Sequence, residues 1–136
     1  MEYGDVTIQD QAAVLPSNDI GFFTHDMTTA TGTISVTGIG FKPSVVQLIV
    51  NLQSTKYVSW GMDNVAQQAY VARNGAATGY QGGGGDGYGQ SYECFSSSGN
   101  QIYGDVQSLD TDGFTLANTK VASPTGSARF QYLAFK

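Results

Sequence analysis

His25 and Asp26 form the one histidine–carboxylate neighbour pair of the chain, and Cys94 is its one cysteine. A Ser-His-Asp or Cys-His site would need that histidine beside Cys94 or a serine, with an oxyanion hole. The sequence has no Gly-x-Ser-x-Gly elbow to present a nucleophile. A single histidine also excludes the usual zinc sets, so His25 reads as a surface or strand-edge residue. Asp110-Thr111-Asp112-Gly113 opens like a calcium loop, yet Val121 stands where such a loop places its bidentate Glu. A β-turn accounts for it, with Asp tolerating awkward dihedrals and Gly supplying positive φ. Gly82, Gly84 and Gly87 match the G-x-G-x-x-G spacing, which cradles a pyrophosphate only between a strand and a helix. The next residues, YGQSYECFSSS, carry no helical pattern. Eleven acidic residues are present, several of them in turns (Asp63, Asp86, Asp110, Asp112), and nothing selects a pair for glycoside hydrolysis. The chain is read as non-enzymatic, without catalytic residue, cofactor or metal.

The tyrosines carry the stronger signal. Tyr80, Tyr88, Tyr92 and Tyr103 lie in or beside a glycine-rich region with Ser and Asn nearby. Tyrosine among Ser, Gly and Asn is the composition of binding loops, rigid amphipathic rings with adaptable polar neighbours, and such rings also stack on sugars. Tyr80, Tyr88 and Tyr92 are the candidate binding residues. Tyr92 and Tyr103 also read as half-buried strand residues, which leaves Tyr80 and Tyr88 as the better contacts.

These residues need a scaffold, and composition bounds it. A chain of 136 residues is one domain, large enough to bury about two-thirds of its unfolded surface. Charged residues make up 12%, against roughly 25% in ordinary domains. A polar, nearly uncharged surface loses few hydrated ions when it meets another surface, which suits an interface-rich structural protein. The net charge of −5 and six scattered basic residues argue against nucleic acid. One cysteine allows no internal disulfide, and a buried inert thiol is its expected state. MEYGDVTIQD has neither the basic nor the apolar region of a signal peptide, and no apolar run approaches the roughly 18 residues of a membrane span. Synthesis and folding in a cytoplasm are expected, with no membrane partner.

Thr31 to Val50 states the architecture most plainly. Ile34 and Val36 alternate with Thr33, Ser35 and Thr37, the chain breaks at Gly38-Ile39-Gly40, turns at Phe41-Lys42-Pro43, and re-enters an apolar run from Val45 to Val50. Strand, glycine corner, proline-started strand is the grammar of an antiparallel β-sandwich. Further strands are expected at 21–27, 33–36, 45–52, 57–62, 90–95, 101–109, 114–116 and 128–135. In 57–62, Val58, Trp60 and Met62 alternate with Tyr57, Ser59 and Gly61, which predicts Trp60 toward the core. Residues 64–72 fit either a helix capped by Asp63 or Asn64 or a strand ending in an Asn74-Gly75 hairpin; the β neighbours favour strand. Residues 75–89 are expected to form an irregular glycine-rich loop. Phe130, Tyr132 and Ala134 on one face and Leu133 and Phe135 on the other mark a central strand. Residues 1–20 read as an N-terminal arm or edge strand, with a short candidate strand at 6–9 and a turn at Pro16-Ser17-Asn18-Asp19. The whole predicts one all-β domain over 21–136, an antiparallel two-sheet β-sandwich or jelly roll of about eight or nine short strands.

Three stretches resemble small β-sandwich modules of tailed-bacteriophage virion proteins, of the capsid-decoration or tail-tip type. They are Gly38-Ile39-Gly40-Phe41-Lys42-Pro43, Asp112-Gly113-Phe114-Thr115-Leu116 and Tyr132-Leu133-Ala134. In order and separation they span about residues 31–136. The resemblance implies a virion protein made in the host bacterial cytoplasm. With no fibrous repeat or heptads, the chain is expected to be a stand-alone subunit, a capsid decoration (cement) protein or comparable virion surface protein. It would be a homo-oligomer, with a major capsid or other virion protein as partner. The alternative is a glycan-binding receptor-recognition module, a tail fibre, tip or lectin-like subunit that meets a host-surface glycan through Tyr80 and Tyr88.

Overall fold

A computed structural model describes residues 18–53, 55, 57–73, 80–84 (backbone) and 89–136. The candidate strand at 6–9, Pro16, Ser17 and the Asn74-Gly75 turn lie outside the described residues. Ten strands succeed one another: β1 (Asn18–Asp26), β2 (Gly32–Thr37), β3 (Val45–Leu52), β4 (Val58–Asp63), β5 (Gln68–Arg73), β6 (Tyr80–Gly84), β7 (Tyr92–Ser97), β8 (Asn100–Asp110), β9 (Gly113–Val121) and β10 (Ser127–Phe135). They form two antiparallel sheets packed as a β-sandwich, ordered β1-β10-β3-β4-β5-β6 and β2-β9-β8-β7.

Period-2 burial builds the core. β3 sends Val46, Leu48, Val50 and Leu52 inward, and β9 sends Phe114 and Leu116 to meet them. Phe130 of β10 sits at the centre, stacked on Phe23 at 4.8 Å between ring centroids and edge-on to Tyr92 at 5.0 Å. As its two apolar faces predict, β10 is central, between β1 and β3. Residues 68–73 are strand, as favoured; Asn64 and Gln67 close the preceding turn through Asn64 N–H to Gln67 O (3.2 Å) and Gln67 N–H to Asn64 Oδ1 (2.7 Å).

The three motifs that carry the family resemblance meet at one end of the sandwich. Gly38 and Gly40 both take positive φ (86° and 84°), which turns their amides toward the β8–β9 turn. The Asp112 carboxylate accepts both, from Gly38 N at 3.0 Å and Gly40 N at 2.6 Å, while the Ile39 N–H donates to the Asp112 carbonyl at 3.2 Å. Phe114 packs edge-on against Tyr132 at 5.4 Å. Corner, turn and core strand thus form one clasp between the sheets.

Three sequence expectations are corrected. Residues 80–84, expected to be irregular loop, form β6, whose Tyr80–Gly84 backbone pairs with Arg73–Ala69 of β5. Glycine removes side-chain pattern without removing backbone donors and acceptors, so the ladder holds where periodicity is silent. Asn18 and Asp19 are not turn residues; they open β1, opposite Phe135 and Ala134. And Trp60 faces outward. The inward set of β4 is Ser59, Gly61 and Asp63, all buried, while Val58, Trp60 and Met62 point to solvent. Small and polar residues face in because β4 lies tightly against β7. A Cβ on Gly61 would collide with the Ser91 carbonyl, the Ser59 hydroxyl accepts from Glu93 N at 3.3 Å, and Asp63 accepts from Val106 N of β8 at 2.7 Å.

Candidate functional site

With Trp60 turned out, the larger sheet carries an open apolar face. Strand register places its outward residues in rows. One row runs Phe22–Gln131–Ile49–Trp60–Val71 and the next Ile20–Leu133–Gln47–Met62–Ala69, across β1, β10, β3, β4 and β5. Exposure is high where an ordinary sheet would be polar: Ile20 75%, Phe22 65%, Trp60 50% and Met62 46%. A third row, Thr24–Arg129–Asn51–Val58–Arg73, brings the face its two cations. None of these fifteen positions is a carboxylate. Arg129 sits over Phe22, its guanidinium carbon 4.6 Å from the ring centroid, so part of its charge is engaged by an aromatic face. Between β1, β10 and β3 the surface dips into a groove of about 330 Å³, its apolar walls made by Ile20, Phe22, Ile49 and Leu133.

Val65 stands in the turn that joins β4 to β5. It is exposed yet adopts φ 75°, a conformation that costs a β-branched residue heavily. Asp63 Oδ1 accepts the Val65 N–H at 2.7 Å and the Gln68 side-chain amide donates to the Val65 carbonyl at 2.8 Å, which holds the turn in that shape. Glycine or asparagine would occupy the position with less strain, so an apolar side chain is retained there at a cost to stability.

Several of the described groups that could do chemistry are engaged by the scaffold. Glu93, buried between the sheets, accepts from the Tyr57 hydroxyl at 2.7 Å and the Tyr70 hydroxyl at 3.2 Å. Burial, with the Glu93 bond second, pushes the Tyr57 hydroxyl far above its ordinary range; burial and Glu93 raise Tyr70 to about 12. Cys94 is buried, as expected, and its thiol is pushed up to about 12, chiefly by desolvation. His25 points inward at the end of edge strand β1, edge-on to Phe130 and 3.4 Å from the Asn118 amide. Desolvation lowers its pKa against the opposing pull of Asp26. Asp110 accepts from Ser108 and Thr115 hydroxyls, both at 2.8 Å, and Asp112 belongs to the clasp, so the Asp-Thr-Asp-Gly stretch is the expected turn. Among the described residues, no group of three or more His, Cys, Asp or Glu is placed to hold a metal ion.

Of the candidate binding tyrosines, Tyr92 is overturned as a surface contact. It is fully buried, and its hydroxyl donates to Asn118 Oδ1 at 2.9 Å and to the Ala117 carbonyl at 3.2 Å. Tyr103 is half-buried in β8, as expected. Tyr88 and the Tyr80 side chain lie outside the described residues. Sequence reasoning missed the outer-face residues because it assigned apolar residues to the core. The available signal was a 12% charged fraction combined with strands apolar on both faces. In comparisons with family models, curated proteins and solved structures, nothing matches this chain. The likeness to virion modules therefore rests on the three motifs, whose residues build the clasp and the core and leave the outer face unassigned.

Proposed function

We propose that this chain is a virion structural protein, a capsid decoration (cement) or comparable surface subunit that docks through the outer face of its larger sheet. The observation that carries the reading is that face: two five-residue rows with Phe22, Ile49, Trp60 and Met62 in the open and no carboxylate among them. Apolar surface of this kind gains by leaving water, and the near absence of charge keeps the desolvation cost low. Aromatic and Met side chains are those enriched at the centres of protein interfaces. Contiguous exposed apolar patches mark sites of association in proteins that stay soluble. The shell partner is supported by the three-motif resemblance. The glycan-recognition alternative now depends on Tyr80 and Tyr88, since Tyr92 is buried.

Quantitative mass spectrometry of particles purified from the phage encoding the chain tests the reading. A copy number comparable with the major shell protein, lost when Trp60→Glu replaces the native residue, is the expected result. A handful of copies per particle would favour the tail-tip and glycan reading, and absence from the particle would overturn both.

A further inference from the structure

We infer that β1 is a self-pairing edge, and that two copies of the chain join antiparallel through it about a two-fold axis at Phe22. Strands at sheet edges present unpaired N–H and C=O groups, and proteins that stay monomeric blunt them with proline, lysine, bulges or short length. β1 has none of these, its only carboxylates being Asp19 and Asp26 near its two ends. It runs nine residues, pairs with β10 without a register shift, and contains no proline, lysine or arginine. Among the described residues no strand pairs with its outer side. The other edges are weaker templates: β6 has five residues, three of them glycine, β2 has six, and β7 carries a register shift against β8.

The sequence of β1 suits its own copy. Side chains alternate between faces, so an antiparallel continuation of the sheet must set residues opposite partners of the same face. A two-fold centred on a residue satisfies this, and only Phe22, the midpoint of Asn18–Asp26, pairs the full strand. Phe22 then lies against Phe22 of the second copy, flanked by Ile20 opposite Thr24. On the inner face Asp19 falls opposite His25, and by symmetry His25 opposite Asp19. Asn18 meets Asp26, so no like charges oppose each other anywhere along the strand. Cross-strand aromatic pairs favour such a ladder, and a closed two-fold is the commonest symmetry of self-association. The same pairing joins the outer rows of two copies into one apolar surface across both large sheets. The inference extends the docking role proposed above but does not require it, because its readout involves no particle.

The full chain carrying Phe22→Cys tests it. Directly opposed positions bring Cβ atoms to about 4.5–5.5 Å, within small adjustment of disulfide geometry. Cys94, buried and with its thiol pushed up to about 12, does not compete. Mild oxidation is expected to convert Phe22→Cys to a covalent dimer, while Ile20→Cys, facing Thr24, forms no crosslink and the Ile20→Cys/Thr24→Cys double variant does. Sedimentation of the unmodified chain should give twice the 14.4 kDa of one copy, and Phe22→Lys should weaken association roughly tenfold or more. A monomer at all concentrations, equal crosslinking of Phe22→Cys and Ile20→Cys, or a dimer in which Phe22→Cys does not crosslink would each overturn the inference.

Discussion

Which face of β4 looks inward decides whether the molecule has an apolar docking surface at all, and paired substitutions at neighbouring positions measure it. Trp60 is 50% exposed. A tryptophan buries up to about 250 Å², so half burial removes about 125 Å² from water, worth at most about 3 kcal/mol at about 25 cal/mol per Å². Residual compactness of the unfolded chain lowers this, and Trp60→Ser is expected to cost about 1–2 kcal/mol. A core tryptophan would cost about 3–5 kcal/mol. Gly61→Ala adds one methyl on the other face, where the Ser91 carbonyl stands on one side and the Ala69 carbonyl on the other. Neither obstacle is a side chain that can rotate away, so strands must separate, and the cost falls at or above the upper end of the overpacking range, about 3 kcal/mol. The smaller chemical change should be the more damaging. Urea unfolding followed by far-ultraviolet circular dichroism gives both values. Trp60 is also the single tryptophan, so native fluorescence reports it directly: a red-shifted, acrylamide-quenchable emission is expected. A blue-shifted, protected emission, or Trp60→Ser costing more than Gly61→Ala, would refute the orientation and with it the apolar face.

Removing the clasp with Asp112→Ala strips two charge-assisted bonds from Gly38 and Gly40; at a solvent-exposed site this should cost about 1–3 kcal/mol, read by the same unfolding assay, with Asp112→Asn losing less because one acceptor remains. Val65→Gly should stabilise the fold by about 1 kcal/mol in the same unfolding assay, since relief of the φ 75° strain exceeds the entropy glycine adds to the unfolded chain. Asp63 is held with its pKa raised, chiefly by desolvation and against the pull of the Val106 and Val65 amides. A raised folded pKa gives a contribution that is complete below the unfolded value of about 3.9 and lost as pH rises through the higher folded value. The stability of the native chain relative to Asp63→Asn should therefore increase on acidification from neutrality toward about pH 4, the comparison cancelling the opposite trend from His25, whose folded pKa is lowered; a difference that shrinks on acidification contradicts the assignment.

The sandwich was legible because its inner strands obey one rule. The expected bounds of β3 and β10 lie within a residue of the observed ends, since Val46, Leu48, Val50, Ala128 and Phe130 pay for their apolar character by burial. The corner and the Asp-Gly turn were legible too, because Gly38, Gly40 and Gly113 mark backbone shapes few other residues adopt. What sequence alone did not reveal is that the two turns clasp each other, a contact of residues more than 70 positions apart. The outer face was misread for a physical reason. Alternation gives the period of β4 but not its phase, and phase is assigned by supposing that water takes the polar set. Here the polar set has partners inside: Ser59 accepts from Glu93 N, Asp63 from Val106 N, and Gly61 makes room for β7. Once the interior supplies those hydrogen bonds, polarity ceases to mean exposure, and Val58, Trp60 and Met62 are left to solvent. Inverted alternation on one strand is weak evidence by itself. Its agreement with Ile20 and Phe22 on β1 and Ile49 on β3, in register across the same rows, makes the apolar face a property shared by several neighbouring strands. Apolar surface set in register over neighbouring strands gains by leaving water, and that gain is the physical basis of the docking role proposed above.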